Sequence, residues 1–211
     1  MQLYFAPLAC SIATRVALYE AGARATFTQV DSKSKRTVDG DDYLQVHPLG
    51  LVPLLRTDDG ELLGENAAVL QYVAERFPEA NLAPTDPRGR ARLHEWLCYI
   101  GTELHKGVFA VLLDPKAPDG ARTYALGKSA SRLDHVERHL TGRDFLLDHF
   151  TVADAYLAIV LTWTRVTPID LSTRPAITAY LERIRARPSF ARALAEESAL
   201  YMEEQARHRA A

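Results

Sequence analysis

Residue 78 divides the chain into two halves with different hydrophobic periodicities, and this change limits the folds the chain can adopt. Before residue 78, short apolar runs that favour strands alternate with patterns of helical period. From about residue 88 onward the apolar patterns have the helical period, and no run favours a strand. A proline-rich polar segment, PEANLAPTDPRGR, joins the halves and is typical of a linker. We therefore predict a small α/β domain over residues 1–78, a linker over 79–88 and an all-helical domain over 89–211.

The first half predicts a small mixed sheet covered by helices. Its order is β-α-β, a polar crossover, then β-β-α, in which Asp-Asp-Gly at 58–60 favours a hairpin. The predicted strands are 2–6, 26–31, 52–56 and 61–63, and the predicted helices are 11–20, 43–46 and 65–77. In the second half we predict helices over 88–113, 121–140, 152–164, 174–187 and 189–205. The segment TVAD at 151–154 has the form of a capping box at the start of the third of these.

Composition excludes several classes of protein. The chain has 211 residues, 47% hydrophobic residues and a net charge of −2 without a Lys/Arg block, which argues against a nucleic-acid or membrane partner. Its two cysteines, far apart in sequence, make neither a disulfide framework nor a zinc ligand set. We expect neither a secretory signal nor a membrane span, because no sufficiently long apolar run occurs. We therefore expect a cytoplasmic protein with reduced cysteines.

Cys10 directly precedes the predicted first helix. If the helix begins there, we expect the sulfur to lie against unpaired backbone N–H groups and the positive end of the helix dipole, which stabilise a thiolate, the reactive form of cysteine. The alternative is a small buried hydrophobe, and position alone does not decide between the two. The residue three after Cys10 is Ala13, so the chain has no C-x-x-C motif here. Any thiol chemistry at Cys10 therefore needs a second thiol from outside the chain.

Two further pairs of residues are candidates for binding a ligand through their backbone. Val52-Pro53 begins a predicted strand, where backbone groups outside the ladder can pair with an extended peptide. Glu65-Asn66 begins a predicted helix, whose N–H groups can bind a carboxylate while Glu65 accepts an ammonium group. Taken alone, each pair is better explained as an ordinary edge-strand start or an ordinary helix start.

The helix predicted over 88–113 has two distinct faces. At 100° per residue one face is apolar and should be core: Leu93, Leu97, Ile100, Leu104 and Val108. The opposite face carries His94, Cys98, Thr102 and His105, flanked by Glu103 and Lys106. We expect this second face to line a cleft, with a solvated surface as the alternative. For His135 and His139, four residues apart, a solvated face is the better interpretation, because no further ligand completes a metal site.

Five segments together resemble the cytosolic glutathione S-transferases of the bacterial beta class. They are LYFAPLACS, VDSKSKRTVDGDDYLQVHPLGLVPLL, LLGENAAVLQYVAERFP, EWLCYIGTELHKG and FTVADAYLAIVLTW. The segments occur in the family's order and cover nearly the whole chain. The resemblance implies an N-terminal thioredoxin-like domain that binds glutathione, followed by an all-helical domain that holds a hydrophobic co-substrate.

The resemblance also implies roles for particular residues. Cys10, Ser11 and His105 would be catalytic, with Cys10 facing the glutathione sulfur. The residues implied to bind glutathione are Cys10, Lys35, Val52, Pro53, Glu65, Asn66, Cys98, Thr102, Glu103 and His105, and those near the co-substrate are Lys106 and Trp163. Asn66 stands where such proteins usually have Ser or Gly, and Cys98 stands where the class often has Asn.

The implied activity is conjugation of the glutathione thiol to electrophilic apolar substrates. Two alternatives remain at this point: thiol–disulfide exchange or peroxidase chemistry through a mixed disulfide at Cys10, and a non-catalytic ligand-binding protein on the same fold. Glutathione is then a substrate, and it supplies the external thiol that Cys10 lacks. We expect no metal, and a homodimer by resemblance, since twofold association is the commonest oligomeric arrangement.

Overall fold

The structure is a computed structural model that describes residues 1–210, and it contains two compact units. The first unit comprises Met1–Leu82 together with the chain from Pro188 onward. The second unit comprises Ala83–Arg187.

A five-stranded mixed sheet forms the centre of the first unit. The strands are β1 (Gln2–Phe5), β2 (Thr26–Asp31), β3 (Arg36–Thr37), β4 (Leu54–Arg56) and β5 (Leu62–Leu63). Their order is β3-β2-β1-β4-β5, with β1 parallel to β2 and antiparallel to β4. The edge strands β3 and β5 each pair in antiparallel fashion with their neighbour. This sheet confirms the predicted β-α-β and β-β-α order, and β3 is the strand that the sequence did not predict.

Three helices pack in the first unit. They are α1 (Ile12–Glu20), α2 (Asn66–Arg76) and the last helix of the chain, α8 (Pro188–Ala210). Helix α1 lies between the other two and contacts both. Single 3₁₀ turns occur at Tyr43–Gln45 and Pro78–Ala80. Tyr43 is fully buried and packs with Tyr4, Val30 and Leu54 in an apolar cluster on the sheet.

Helix α8 differs from the prediction, which assigned the whole of 89–211 to the helical domain. Its contacts are with α1, and the reason is Arg15 of that helix. The Arg15 side chain is buried, with its guanidinium 4.2 Å from the Phe5 ring centroid and 4.1 Å from that of Phe27. A buried guanidinium requires acidic partners, and α8 provides Glu196 at 3.0 Å and Glu197 at 2.9 Å.

All regular secondary structure in the second unit is helical. It contains α3 (Pro87–Tyr99), a π-helical segment (Ile100–Phe109), α4 (Ala110–Leu113), α5 (Asp119–Leu140), α6 (Val152–Thr162) and α7 (Pro175–Arg185). A 3₁₀ turn, Trp163–Val166, follows α6. Every residue of α6 from Val152 to Leu161 is buried, so this helix forms the core. The thioredoxin-like and all-helical fold class is therefore confirmed. No helix within residues 1–210 combines the length and apolar character needed to cross a membrane.

The predicted capping box forms at the start of α6. Asp154 Oδ2 accepts hydrogen bonds from the backbone N–H of Thr151 at 2.8 Å and from its hydroxyl at 3.0 Å. The other oxygen accepts the Leu146 N–H at 2.9 Å and the Tyr180 hydroxyl at 3.0 Å. Asp154 is fully buried, and burial raises the pKa of its carboxyl group. Four donors on one buried carboxylate make Asp154 the link between the α6 N-terminus, the preceding loop and α7.

Candidate functional site

A tight turn between β1 and α1 carries Cys10. The turn is closed by hydrogen bonds to the Ala6 carbonyl from the Ala9 N–H at 3.1 Å and from the Ser11 hydroxyl at 3.3 Å. Ser11 is fully buried, so its hydroxyl acts on the backbone of the turn. The Cys10 side chain is only 7% exposed, and its thiol lies 3.6 Å from the Val52 carbonyl oxygen. The structure thus brings Cys10, Ser11 and Val52 together.

The first N–H groups of α1 are less available to the Cys10 sulfur than the sequence predicted. The Ile12 N–H donates to the Ala9 carbonyl at 3.2 Å, and the Ala13 N–H donates to the Cys10 carbonyl at 3.1 Å. The expectation that the sulfur lies against unpaired helix N–H groups is therefore wrong for these two donors. The helix dipole remains as a favourable field for a thiolate at this end of α1.

Val52 and Pro53 lie just outside the sheet. The ladder between β1 and β4 begins at Leu54, so both residues precede it. The peptide bond between them is cis. The loop is held by buried Tyr43, whose hydroxyl donates to the Leu51 carbonyl at 2.8 Å. The sequence analysis missed this role, although an isolated aromatic residue in a polar crossover is a signal that could have indicated it.

Lys35 lies at the turn between β2 and β3. Its backbone has a positive φ of 57°, and its ammonium group donates to the Gly50 carbonyl at 3.0 Å. The Tyr43 N–H donates to the Lys35 carbonyl at 2.9 Å. Lys35 is therefore hydrogen-bonded to the loop that precedes Val52. This loop connects Lys35 and Val52, which are both predicted binding residues.

Glu65 and Asn66 form the start of α2. Glu65 is exposed and has a positive φ of 60°, a conformation that is uncommon outside glycine and clusters at functional sites. Asn66 is buried, and its side-chain amide donates to the Cys10 carbonyl at 3.2 Å. Its side-chain oxygen accepts the Thr14 hydroxyl at 3.0 Å. The Asn66 side chain is thus engaged with the cysteine turn, and its backbone N–H lies at the N-terminus of α2.

A carboxylate from α8 also acts on the cysteine turn, and sequence analysis missed it. Glu197 is fully buried, and its Oε2 accepts the Leu8 N–H at 2.8 Å. Leu8 itself has a positive φ of 60°. Burial raises the pKa of Glu197 to about 8, while the Arg15 charge opposes that rise. A charged pair at 196–197 within an otherwise amphipathic helix is the sequence signal that this contact leaves.

In the second unit, the π-helical segment turns His105 inward. The His105 Nδ1 and the Tyr156 hydroxyl are joined by a hydrogen bond of 2.8 Å, and the Trp163 ring centroid lies 4.9 Å from that of His105. Burial, with a smaller contribution from the Lys106 charge, lowers the pKa of His105 to about 4. His105 is therefore a neutral imidazole at physiological pH. Tyr156, which the sequence analysis did not single out, is its hydrogen-bond partner.

The remaining predicted residues of this unit do not share one environment. Cys98 and Thr102 are exposed, and the Thr102 hydroxyl donates back to the Cys98 carbonyl at 2.9 Å. Glu103 forms an ion pair with Arg132 of α5, whose Nη2 lies 2.9 Å from the carboxylate. Lys106 is exposed. The apolar face is confirmed, since Leu93, Leu97, Ile100, Leu104 and Val108 are all buried.

These features define a class of protein: a thioredoxin-like unit whose monothiol turn faces a backbone segment with a cis proline, followed in the chain by a helical unit. Comparison with known families agrees with this. The family model of the glutathione S-transferase N-terminal domain matches residues 9–76, and that of the C-terminal domain matches residues 125–183.

The chain belongs to the glutathione S-transferase family. It is 39% identical over 199 residues to the glutathione S-transferase GstA of Escherichia coli O157:H7. The matched region covers 93% of this chain and 98% of that protein. The structure resembles a sphingomonad glutathione S-transferase complexed with glutathione, with a TM-score of 0.89, 38% identity, and coverage of 94% of this chain and 99% of the other. It also resembles the beta-class glutathione S-transferase of Sphingomonas chungbukensis, with a TM-score of 0.89 and 39% identity. That match covers 93% of this chain and 98% of the other.

Proposed function

We propose that this protein is a glutathione transferase that conjugates the glutathione thiol to apolar electrophiles. The observation that carries the proposal is the 3.6 Å approach of the Cys10 thiol to the Val52 carbonyl, at the point where the sheet ladder stops. A backbone segment that has left its own ladder can pair with an extended tripeptide, and a thiol beside it faces the cysteinyl unit of that peptide. Similarity to glutathione S-transferases along 93% of the chain supports glutathione as the tripeptide.

The glutamyl end of glutathione would bind at the start of α2. The Glu65 carbonyl accepts the N–H groups of Ala68 and Val69, so the N–H groups of Asn66 and Ala67 lie at the open end of the helix. An α-carboxylate is favoured there by both the donors and the helix dipole. The exposed Glu65 carboxylate is the group for the ammonium of the same amino acid, and Lys35 is the cation for the glycine carboxylate at the other end.

The second unit would contribute to the hydrophobic co-substrate site. Trp163 presents an aromatic ring that packs on both His105 and Phe109, with centroids 4.9 and 6.0 Å apart. Lys106 is exposed in the same π-helical segment as His105 and can interact with a polar substituent of the electrophile. His105 acts as a neutral hydrogen-bonding group in that site. We also propose a homodimer and a cytoplasmic location, where thiols stay reduced.

The reaction is a substitution at carbon. The glutathione thiol loses its proton to water or buffer, and the thiolate then attacks the electrophilic carbon of the co-substrate. A carbon–sulfur bond forms, the carbon–halogen bond of a haloarene breaks, and halide leaves with the bonding electrons. A thiol of ordinary pKa is only a few per cent ionised at pH 7, so stabilising the thiolate accelerates the reaction. The reacting sulfur belongs to glutathione, and Cys10 is a neighbour that contacts it.

The test compares wild type with Cys10→Ala, using Cys98→Ser as the control at the exposed cysteine. Each is assayed for conjugation of glutathione to a reactive haloarene and for reduction of a glutathione mixed disulfide. We expect conjugation by all three proteins, because glutathione supplies the nucleophile. Loss of conjugation in Cys10→Ala alone, with glutathione affinity unchanged, would contradict the assigned role of Cys10. Absence of both conjugation and calorimetric glutathione binding in the wild type would overturn the proposed function.

A further inference from the structure

Three side chains of types that bind metals meet in the first unit, away from the cysteine turn. Asp31 is the last residue of β2, and Glu204 and His208 lie near the end of α8. Each offers one ligand atom, and the three atoms lie within 4.8 Å of one another. Glu204 and His208 are four residues apart on a helix, so they share a face one turn apart. Asp31 and His208 are 177 residues apart in sequence, so no local spacing indicates that they meet.

The cluster holds two carboxylates, and Arg207 lines the adjoining cavity. Glu204 is 5% exposed, and the hydrogen bond that its Oε2 accepts comes from the neutral amide of Gln29 at 2.8 Å. Asp31 places a second carboxylate beside it, held in orientation by the N–H groups of Lys33 and Ser34 at 2.8 and 3.1 Å. Two carboxylates and one imidazole carry a net negative charge whether or not His208 is protonated. A divalent cation would balance that charge.

The geometry of His208 suits a ligand. Its Nε2 lies 2.5 Å from Asp31 Oδ2, and its Nδ1 is buried without a hydrogen-bond partner among the described residues. An imidazole nitrogen that faces a carboxylate can exchange its proton for a metal ion. Metal–ligand bonds of about 2.0–2.2 Å in tetrahedral geometry place neighbouring ligand atoms about 3.4 Å apart, so the His208–Asp31 pair must open by about 1 Å.

We propose that Asp31, Glu204 and His208 bind a divalent transition-metal ion, represented here by Zn²⁺. One imidazole nitrogen and two carboxylate oxygens form the protein part of the coordination sphere, a donor set that suits zinc and its neighbours in the series. Water completes the sphere, and a cavity of about 130 Å³ beside Asp31 gives it access. On binding, the proton between His208 and Asp31 is released to solvent. The ion joins the C-terminal end of α8 to β2.

The test measures zinc binding by tag-free protein that has been treated with a chelator and dialysed. Isothermal titration with ZnCl₂ and thermal unfolding with and without the ion are run on wild type, His208→Gln and Glu204→Gln. Glu204→Gln keeps the side-chain shape, and His208→Gln replaces the imidazole by an uncharged side chain that can still form hydrogen bonds. Two control variants cover other possible zinc ligands. His135→Gln changes one member of the histidine pair 135/139, and Cys98→Ser changes the exposed thiol.

We expect one zinc ion per chain with a Kd below about 100 µM, and a rise in Tm of about 3 °C or more at a large excess over Kd. The two cluster variants should lose at least tenfold in affinity and lose the Tm rise, and the two controls should keep both. Equal zinc affinity in wild type and His208→Gln would overturn the proposal. Absence of binding by the wild type, or binding that only Cys98→Ser removes, would overturn it as well.

Discussion

The low pKa of His105 makes a prediction about stability that can be worked out in full. In the unfolded chain a histidine has a pKa of about 6.5, whereas in the folded protein burial and the Lys106 charge lower it to about 4. Between these values the unfolded chain holds more protons than the folded one. Stability from this residue is therefore fully present above pH 6.5 and is lost as the pH falls towards 4.

The size of the effect follows from the two pKa values. A difference of 2.5 units at about 1.36 kcal/mol per unit gives about 3 kcal/mol in total, of which about 2 kcal/mol is lost between pH 7 and pH 5. His105→Gln removes the titrating group and keeps an amide that can bond to the Tyr156 hydroxyl. Other groups titrate equally in both proteins. The wild type should therefore lose about 2 kcal/mol relative to the variant over this range.

The assay is urea unfolding of wild type and His105→Gln at pH 7, 6 and 5, combined with an NMR titration of the His105 imidazole. Lys106→Gln tests the order of the two causes, because it removes the charge and keeps the burial. It should return the pKa of His105 only part of the way towards 6.5. A stability difference that stays constant from pH 7 to pH 5, or a His105 ring that titrates near 6.5, would refute the reasoning.

Three other predictions follow from buried groups and close contacts. Because the pKa of Glu197 is raised from 4.5 to about 8, the folded protein should lose stability as the pH rises through this range, by at most about 5 kcal/mol. Glu197→Gln should remove this loss in measurements of Tm against pH. Asp154→Ala leaves several buried donors unpaired and should lower the free energy of unfolding in urea by about 3–5 kcal/mol. A decrease below about 1 kcal/mol would contradict the role given to that carboxylate. Gly107→Ala places a Cβ 2.8 Å from the Thr102 carbonyl oxygen and should lower the free energy of unfolding in urea by about 1–3 kcal/mol. The control Gly127→Ala has open space around its Cβ and should raise that free energy by up to about 1 kcal/mol.

Amphipathic patterns were sufficient to predict most elements of the fold. The periods of two and of 3.6 residues located β1, β2, α1 and the helices of the second unit. Strand β3 has two residues in a polar run, Arg36 and Thr37, and its pairing depends on β2 rather than on its own pattern. Such a strand leaves no periodic signal.

The helix that carries His105 shows where a fixed period fails. At 100° per residue Thr102 and His105 share a face with Cys98, yet in the structure Thr102 is exposed and His105 packs on Trp163. The π-helical segment changes the angle per residue from Ile100 onward. Gly107 is the residue in the sequence that indicates this segment, because its backbone approaches the Thr102 carbonyl and leaves little room for a side chain.

The candidate site was predictable where it depends on local motifs. Cys10, Val52 and Glu65 lie at an element start or a turn, and the sequence indicates such positions directly. Contacts between distant segments were not predictable, because one-dimensional periodicity does not say which helix covers a buried charge. Arg15 and its two glutamates on α8 are the clearest case: three charged residues that sequence reasoning leaves on the surface lie together in the first unit.

The position of α8 has a consequence for how the chain is made. Arg15 and Glu196 are separated by 181 residues, so at 5–20 residues per second the ribosome adds the partner roughly 10–40 s after the arginine. During that interval the first unit lacks the carboxylates of α8 that pair with the guanidinium. The second unit, in contrast, is complete in one continuous stretch before α8 emerges. The unit whose synthesis begins first is therefore the last to have all of its residues available for folding.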